Sequence, residues 1–228
     1  MESKTSKYFK YAIGEIILVV IGILIALQIN NWNEAKKTKE KERQVLTEIG
    51  SDLNYILTDF DEIIEITNNA STSIKSLIVV FETNQKHHDS LSYFINGTNS
   101  YDEVDFKMSG YQSLISIGTD LIEDTNIRSK VGTFYTSTIQ DTKGANDEVK
   151  MDYHEYMLDF YRKYFTTQFD KEDKKTLVPN DFEALKANRE FIQSLKTYLN
   201  INKYYLEKLK TGKEEASQLK KDIDNYLN

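Results

Sequence analysis

The chain has 228 residues, a formal net charge of −7 and no cysteine. This length is sufficient for one domain with a sizeable core, and the lack of thiols excludes disulfides, thiolate catalysis and zinc–thiolate sites while leaving the redox compartment open. Residues 44–228 hold 21 Lys and Arg against 31 Asp and Glu. Because this acidic balance repels polyphosphate, we expect no nucleic-acid partner.

One long apolar segment dominates the amino-terminal part of an otherwise hydrophilic chain. Residues Tyr11 to Ile29 read YAIGEIILVVIGILIALQI, whereas the whole chain has a mean hydropathy of −0.54. As a helix these nineteen residues span about 28 Å, close to the ~30 Å hydrocarbon thickness of a bilayer. The sequence therefore predicts a short tail over residues 1–10, a single transmembrane helix over residues 11–31 and a soluble domain over residues 32–228.

Two other interpretations of the apolar segment are weaker. A signal peptide has a shorter apolar core of ~7–15 residues and ends in a small-x-small cleavage site, which Leu24 to Gln28 does not provide. A core helix in a chain this small needs a face for solvent, and this segment is apolar on all sides. We therefore expect an uncleaved membrane anchor with the lipid bilayer as its partner.

The borders of the segment carry residues typical of a membrane interface. Tyr8, Tyr11 and Trp32 are amphipathic rings placed where lipid headgroups would lie. The basic residues that follow the segment outnumber those before it, which favours a cytoplasmic domain, but interspersed glutamates and the length of the domain weaken that rule. The flanking charges therefore leave the topology open.

Three residues within the segment share one helical face. At 100° per residue, Gly22 and Ala26 each fall 20° from Glu15, which gives a stripe that combines an acid with two small residues. Such a stripe can pack against a second copy or another membrane protein. In the alternative interpretation, Glu15 reaches the interface and the small residues have no special role.

The segment KYFKYAIGEIILVVIGILIALQINNWNE closely resembles the amino-terminal signature of a family of small bacterial single-pass membrane-anchored proteins of unknown function. The stretch from Ser109 to Tyr135 and the carboxyl-terminal alternation of Tyr, Leu and charge are also similar to that family. The resemblance implies location in the inner membrane of a Gram-negative bacterium with a periplasmic domain. It implies no reaction, because the family has none assigned.

After residue 36 the pattern is helical. Apolar residues from Val45 to Ile63 recur every three or four positions, and no breaker separates them from the apolar segment, so both can form one rod. Residues 66–69 predict an interruption, followed by a return helix through Ile74 and Phe81. Residues 83–104 predict a loop region with one short helix.

The second half of the chain also predicts helices. One should end at Gly118, the next should begin near Asp124, and an aromatic-rich helix should cover Val149 to Phe169. Pro179 to Asp181 should cap a last long helix that Gly212 divides in two. The predicted fold class is all-α: a single amino-terminal transmembrane helix followed by an antiparallel helical bundle.

No chemical motif emerges from the sequence. His87, His88 and Asp89 are the nearest approach to a metal site, but adjacent helical positions point about 100° apart. Arg128 predicts a structural ion pair with the neighbouring acids, with an anionic ligand as the alternative. We expect no catalytic residue, cofactor or metal.

The sequence thus favours a noncatalytic structural or interaction protein of the bacterial envelope. A ligand-sensing or accessory subunit of a membrane transport or signalling complex is the alternative. A membrane-anchored enzyme without a recognisable motif is the second alternative, which clustered carboxyl groups with shifted pKa values in one pocket would favour.

Overall fold

The computed structural model describes residues 4–86, 88, 91–169, 171–173 and 175–228. Most of these residues are helical, as the sequence predicts. The α-helices are α1 (Lys4–Glu82), α2 (Leu91–Gly97), α3 (Ser109–Ile117), α4 (Thr125–Thr133), α5 (Ile139–Asp152), α6 (Leu158–Tyr164), α7 (Phe182–Ala187) and α8 (Arg189–Leu227). A 3-10 turn (Thr119–Leu121) precedes α4, and two π-helical turns, Phe134–Thr138 and Tyr153–Met157, join α4, α5 and α6.

Helix α1 contains both the apolar segment and the first amphipathic stretch. Its 79 residues extend for about 118 Å. The predicted interruption at residues 66–69 is wrong, because the two asparagines there face solvent while Ala70 and Ile74 continue the buried stripe. Thr67 donates its hydroxyl hydrogen bond to the Ile63 carbonyl at 2.8 Å, so its burial costs little. The expected return helix is therefore the last part of α1.

The long helix α8 packs antiparallel along the carboxyl-terminal part of α1. Contacts join Arg43 to Leu227, Asp61 to Lys213 and Glu82 to Lys196, so the numbering rises on one helix as it falls on the other. Apolar side chains from both helices fill the interface, including the fully buried Phe60 and Phe191. Since this interface extends over about half of α1, it organises the hydrophobic core.

Gly212 does not divide the last helix. Helix α8 continues through it, and a Cβ at this position would lie 2.8 Å from Cζ of the buried Phe60. The glycine therefore allows a close approach between α8 and α1. The start of the last helix also differs from the expectation, because Asp181 caps the short α7 and Asn188 caps α8 separately.

The predicted aromatic-rich helix ends five residues early. Residues 165–169 form strand β1, which pairs antiparallel with β2 (Lys175–Pro179), so the all-α prediction is incomplete at this hairpin. The helix prediction extends too far because Phe165 lies four residues after Tyr161 and continues the helical periodicity of the sequence. In the structure Phe165 belongs to β1, and its ring is still buried in the core. Strand β2 is fixed on α2 by the Leu177 amide, which donates to Asn96 Oδ1 at 2.9 Å.

Several local predictions are confirmed. Helix α3 ends before Gly118, whose φ of 120° suits a glycine. Asp124 caps α4 by accepting hydrogen bonds from the amides of Asn126 and Ile127, each at 2.9 Å. The described residues of the region 83–104 form one short helix, α2, which buries Leu91 and Ile95.

Gly110 provides a sharp test of the contact between α3 and α1. A Cβ at Gly110 would lie 2.5 Å from the backbone nitrogen of Ile49, where neither helix can give way easily. We expect Gly110→Ala to lower the free energy of unfolding by about 2–4 kcal/mol in denaturant titrations of the detergent-solubilised chain. Gly132→Ala is the control, because nothing lies within 4 Å of its added Cβ, and we expect it to be neutral or stabilising by up to about 1 kcal/mol. Equal effects of the two substitutions would contradict this close contact.

Candidate functional site

The candidate functional surface is the exposed apolar part of α1. Among the described residues, α1 is the one helix long and apolar enough to cross a membrane, with a window of mean hydropathy 2.6 near the amino terminus. All side chains from Tyr11 to Lys41 are exposed. An apolar helix that the rest of the chain leaves uncovered requires another apolar environment.

The stripe predicted within this segment lies on one exposed face. Glu15, Gly22 and Ala26 contact no other element, and nothing lies within 4 Å of a Cβ built on Gly22. Tyr11 is 77% exposed and Trp32 is 69% exposed, at positions about 32 Å apart along the helix. The side chain of Tyr8 lies outside the described residues. The structure thus leaves the stripe and the two described aromatic rings accessible to an external partner.

The apolar segment and the core are separated by a polar length of the same helix. Residues 30–41 are exposed all round, and the first buried side chain after residue 10 is Glu42, at 4% exposure. This part of α1 holds Lys36, Lys37, Lys39 and Lys41. The core therefore begins about 20 Å along the helix from Ile29.

Glu42 forms the junction between α1 and two other parts of the chain. Its Oε1 accepts a hydrogen bond from the Glu123 amide at 2.7 Å and another from the Tyr226 hydroxyl at 3.0 Å. Burial and the Glu42 carboxylate raise the pKa of Tyr226 to about 12, so its hydroxyl remains a donor at neutral pH. Arg43 donates to the Leu227 carbonyl at 3.0 Å beside it.

Two further carboxylates of α1 hold the segment that contains α3, which we define as residues 105–123. Asp52 accepts from the Ser109 hydroxyl and the Gly110 amide, both at 2.7 Å, and thereby satisfies the amino-terminal end of α3. Asp59 accepts from the Asp105 amide at 2.6 Å. Together with Glu42, these acids fix the α3 segment antiparallel to α1.

The sequence analysis missed this role of the α1 acids, although a signal for Asp52 exists. Asp52 lies three residues after Ile49 and one before Leu53, so it occupies an edge of the buried stripe of an amphipathic helix. An acid at such a position needs a hydrogen-bond donor within the fold. Its partners are 57 and 58 residues away and could not be identified without the structure.

Arg128 does not form the predicted ion pair with its neighbouring acids. Its Nη1 donates to the Ile122 carbonyl at 3.4 Å, while Asp124 caps α4 and Glu123 pairs with Lys39 at 3.2 Å. The arginine still contacts the turn that precedes α4, but through a backbone carbonyl. Both neighbouring acids have other partners, since Asp124 caps the amino terminus of α4 and Glu123 pairs with Lys39.

His154 Nε2 lies 3.1 Å from the Tyr101 hydroxyl, and His87 and Asp89 lie outside the described residues. In the part of the chain that the structure describes, no three metal-ligating side chains converge.

The comparisons with known proteins agree with the resemblance of the amino-terminal segment. A model of a family of unknown function (DUF6090) matches residues 15–137, and the chain belongs to this family. No curated protein and no solved structure matches the chain. The matched residues include most of α1 and the whole α3 segment, so the family model covers both the apolar helix and the carboxylate contacts.

The Asp52 contact can be tested by stability measurements. We expect Asp52→Ala to lower the free energy of unfolding by about 1–3 kcal/mol, because the buried Gly110 amide loses its acceptor. Asp52→Asn should cost less, since an amide oxygen still accepts from Gly110. Glu65→Ala, at an exposed position of the same helix, is the control and should change stability by less than about 0.5 kcal/mol. If Asp52→Ala behaves like Glu65→Ala in denaturant titrations, Asp52 does not fix α3.

Proposed function

We propose that this protein is a noncatalytic structural or interaction protein of the bacterial envelope, anchored by one transmembrane helix. The observation that carries the proposal is the exposure of the entire apolar segment of α1. The hydrophobic core of the domain covers this helix only from Glu42 onward. An apolar helix of this length is stable when lipid covers it. The soluble part, residues 32–228, is a helical bundle organised by α1 and α8.

The proposed location is the inner membrane of a Gram-negative bacterium, with the domain in the periplasm. The resemblance of residues 7–34 to membrane-anchored bacterial proteins supports this placement. Disulfide bonds, which would indicate an oxidising compartment, cannot form because the chain has no cysteine.

Membrane insertion can be measured by carbonate extraction of cell membranes. We expect the full chain to remain in the membrane pellet. Ile21→Arg combined with Leu24→Arg should release most of it from the integral fraction, since each arginine near the centre of the span costs about 2.5–3.5 kcal/mol. Thr38→Arg adds a charge to the exposed polar length of α1 and serves as the control. Extraction of the wild-type chain by carbonate would contradict the anchor.

Protease treatment of spheroplasts tests the topology. A periplasmic domain should be cut by external protease together with control periplasmic proteins, while a cytoplasmic marker survives. If the domain survives while those controls are cut, the periplasmic placement is wrong and the positive flank of α1 determines the orientation.

The Glu15–Gly22–Ala26 stripe is the proposed surface for association with a second copy or another membrane protein. Small residues allow two helix backbones to approach closely within a bilayer. Gly22→Leu combined with Ala26→Leu should abolish crosslinked oligomers in native membranes, whereas Ile21→Leu with Ile25→Leu, outside the stripe, should leave them unchanged. Equal crosslinking in both variants would remove the stripe from the proposal.

The protein that becomes crosslinked to this chain in native membranes distinguishes a structural role from a role as an accessory subunit. Capture of this chain alone supports a structural role through self-association. Capture of one transport or signalling complex supports an accessory subunit instead.

A further inference from the structure

An open cleft lies at the end of the domain remote from the apolar segment. It has a volume of about 690 Å³ and lies between the junction of α5 with the second π-helical turn and the first turns of α8. Asp152 and Tyr156 line one wall, and Arg189, Glu190 and Gln193 line the other. This volume is within the range of small-molecule sites. The cleft lies outside residues 15–137, which match the family model.

Asp152 is the unusual residue in this cleft. Its side chain is 7% exposed, and its Oδ2 is enclosed without any hydrogen-bond partner. Burial raises the pKa of this carboxyl, and the nearby Glu155 adds to the effect. A buried carboxylate without a donor is costly, so a binding partner that supplies one gains free energy from the contact.

The local backbone explains how this carboxyl comes to line the cleft. Asp152 is the last residue of α5, directly before the π-helical turn Tyr153–Met157. Val149, about one helical turn earlier, and the adjacent Tyr153 are buried in the core, and the Tyr153 hydroxyl donates a hydrogen bond to Asn99 Oδ1. Asp152 is therefore held at the edge of the core beside a π-helical turn, a type of distortion that is frequent at functional sites.

The charges around the cleft favour a cation. Glu155 lies near Asp152, and Glu190 lines the same cleft. Among the described residues that line the cleft, Arg189 is the one basic residue, and it forms no ion pair with Asp152. The acidic balance of residues 44–228 adds a long-range attraction for positive ligands. Tyr156 is 54% exposed and offers an aromatic face of the kind that binds ammonium groups.

We propose that the cleft binds a small organic amine whose primary ammonium group donates hydrogen bonds to Asp152. Because Oδ2 is enclosed, the ammonium group meets the other carboxylate oxygen, Oδ1, and neutralises the charge that the two oxygens share. The ammonium group also contacts the face of Tyr156, and Gln193, Ser194 and Thr197 provide further polar groups for the rest of the ligand. This site does not depend on the membrane anchor.

Isothermal titration calorimetry on the detergent-solubilised full chain tests the site, with 1,4-diaminobutane and n-butylamine as probes. Both amines should bind with a saturable stoichiometry near one, whereas 1-butanol and butyrate, of similar size but without the ammonium group, should not. Asp152→Asn should weaken amine binding at least tenfold. Asp147→Asn, at an exposed position of the same helix, is the matched control and should leave the affinity unchanged.

The stability of the variants shows that a loss of binding is not a loss of fold. Asp152→Asn removes a buried charge without a partner, so its melting temperature at neutral pH should equal or exceed that of the wild type. Tyr156→Ala changes an exposed ring and should weaken amine binding about threefold while the fold remains intact. Absence of saturable binding at millimolar amine, or equal affinity of the wild type and Asp152→Asn, would overturn the proposal.

Discussion

The structure depends on the antiparallel pairing of α1 with α8. Neither helix can bury its apolar stripe alone, and the buried rings of Phe60 and Phe191 belong to the core that the two helices share. Gly212 removes a side chain where α8 meets Phe60, which permits dense packing at that level. The shorter elements then cover the sides of this helix pair, so the position of each one follows from the line of α1.

A set of carboxylates fixes those shorter elements where apolar contacts alone would allow sliding. Glu42, Asp52 and Asp59 each accept a backbone amide from the α3 segment, and together they set its register along α1. Hydrogen bonds to a charged acceptor are stronger and more directional than apolar contacts. The family match, residues 15–137, includes most of the apolar segment and the three amide contacts of these carboxylates with the α3 segment, while the Asp152 cleft lies in the remaining part of the chain.

The sequence predicts the features that local chemistry determines. The Asp124 cap, the end of α3 at Gly118 and the helical periodicity of α1 each depend on neighbouring residues, and each could be identified without the structure. The errors lie where distant residues decide the outcome. Thr67 and its neighbouring asparagines stay helical because the core on one side of α1 continues, and residues 165–169 become a strand because β2 is fixed on α2. The same holds for the acids Glu42, Asp52, Asp59 and Asp152. The sequence shows that they are present, but only the tertiary structure shows which of them accept hydrogen bonds and that Asp152 Oδ2 accepts none.

The continuity of α1 has a mechanical consequence. Because the proposed membrane segment and the first core helix share one backbone, the domain has no hinge along residues 30–41 at which it could swivel independently. The distance from Ile29 to Glu82 is about 80 Å, so a change of 10° in the tilt of the apolar end would displace the far end of the helix by about 14 Å. In the proposed membrane-anchored arrangement, small reorientations of the apolar segment within the bilayer would therefore produce large displacements of the domain.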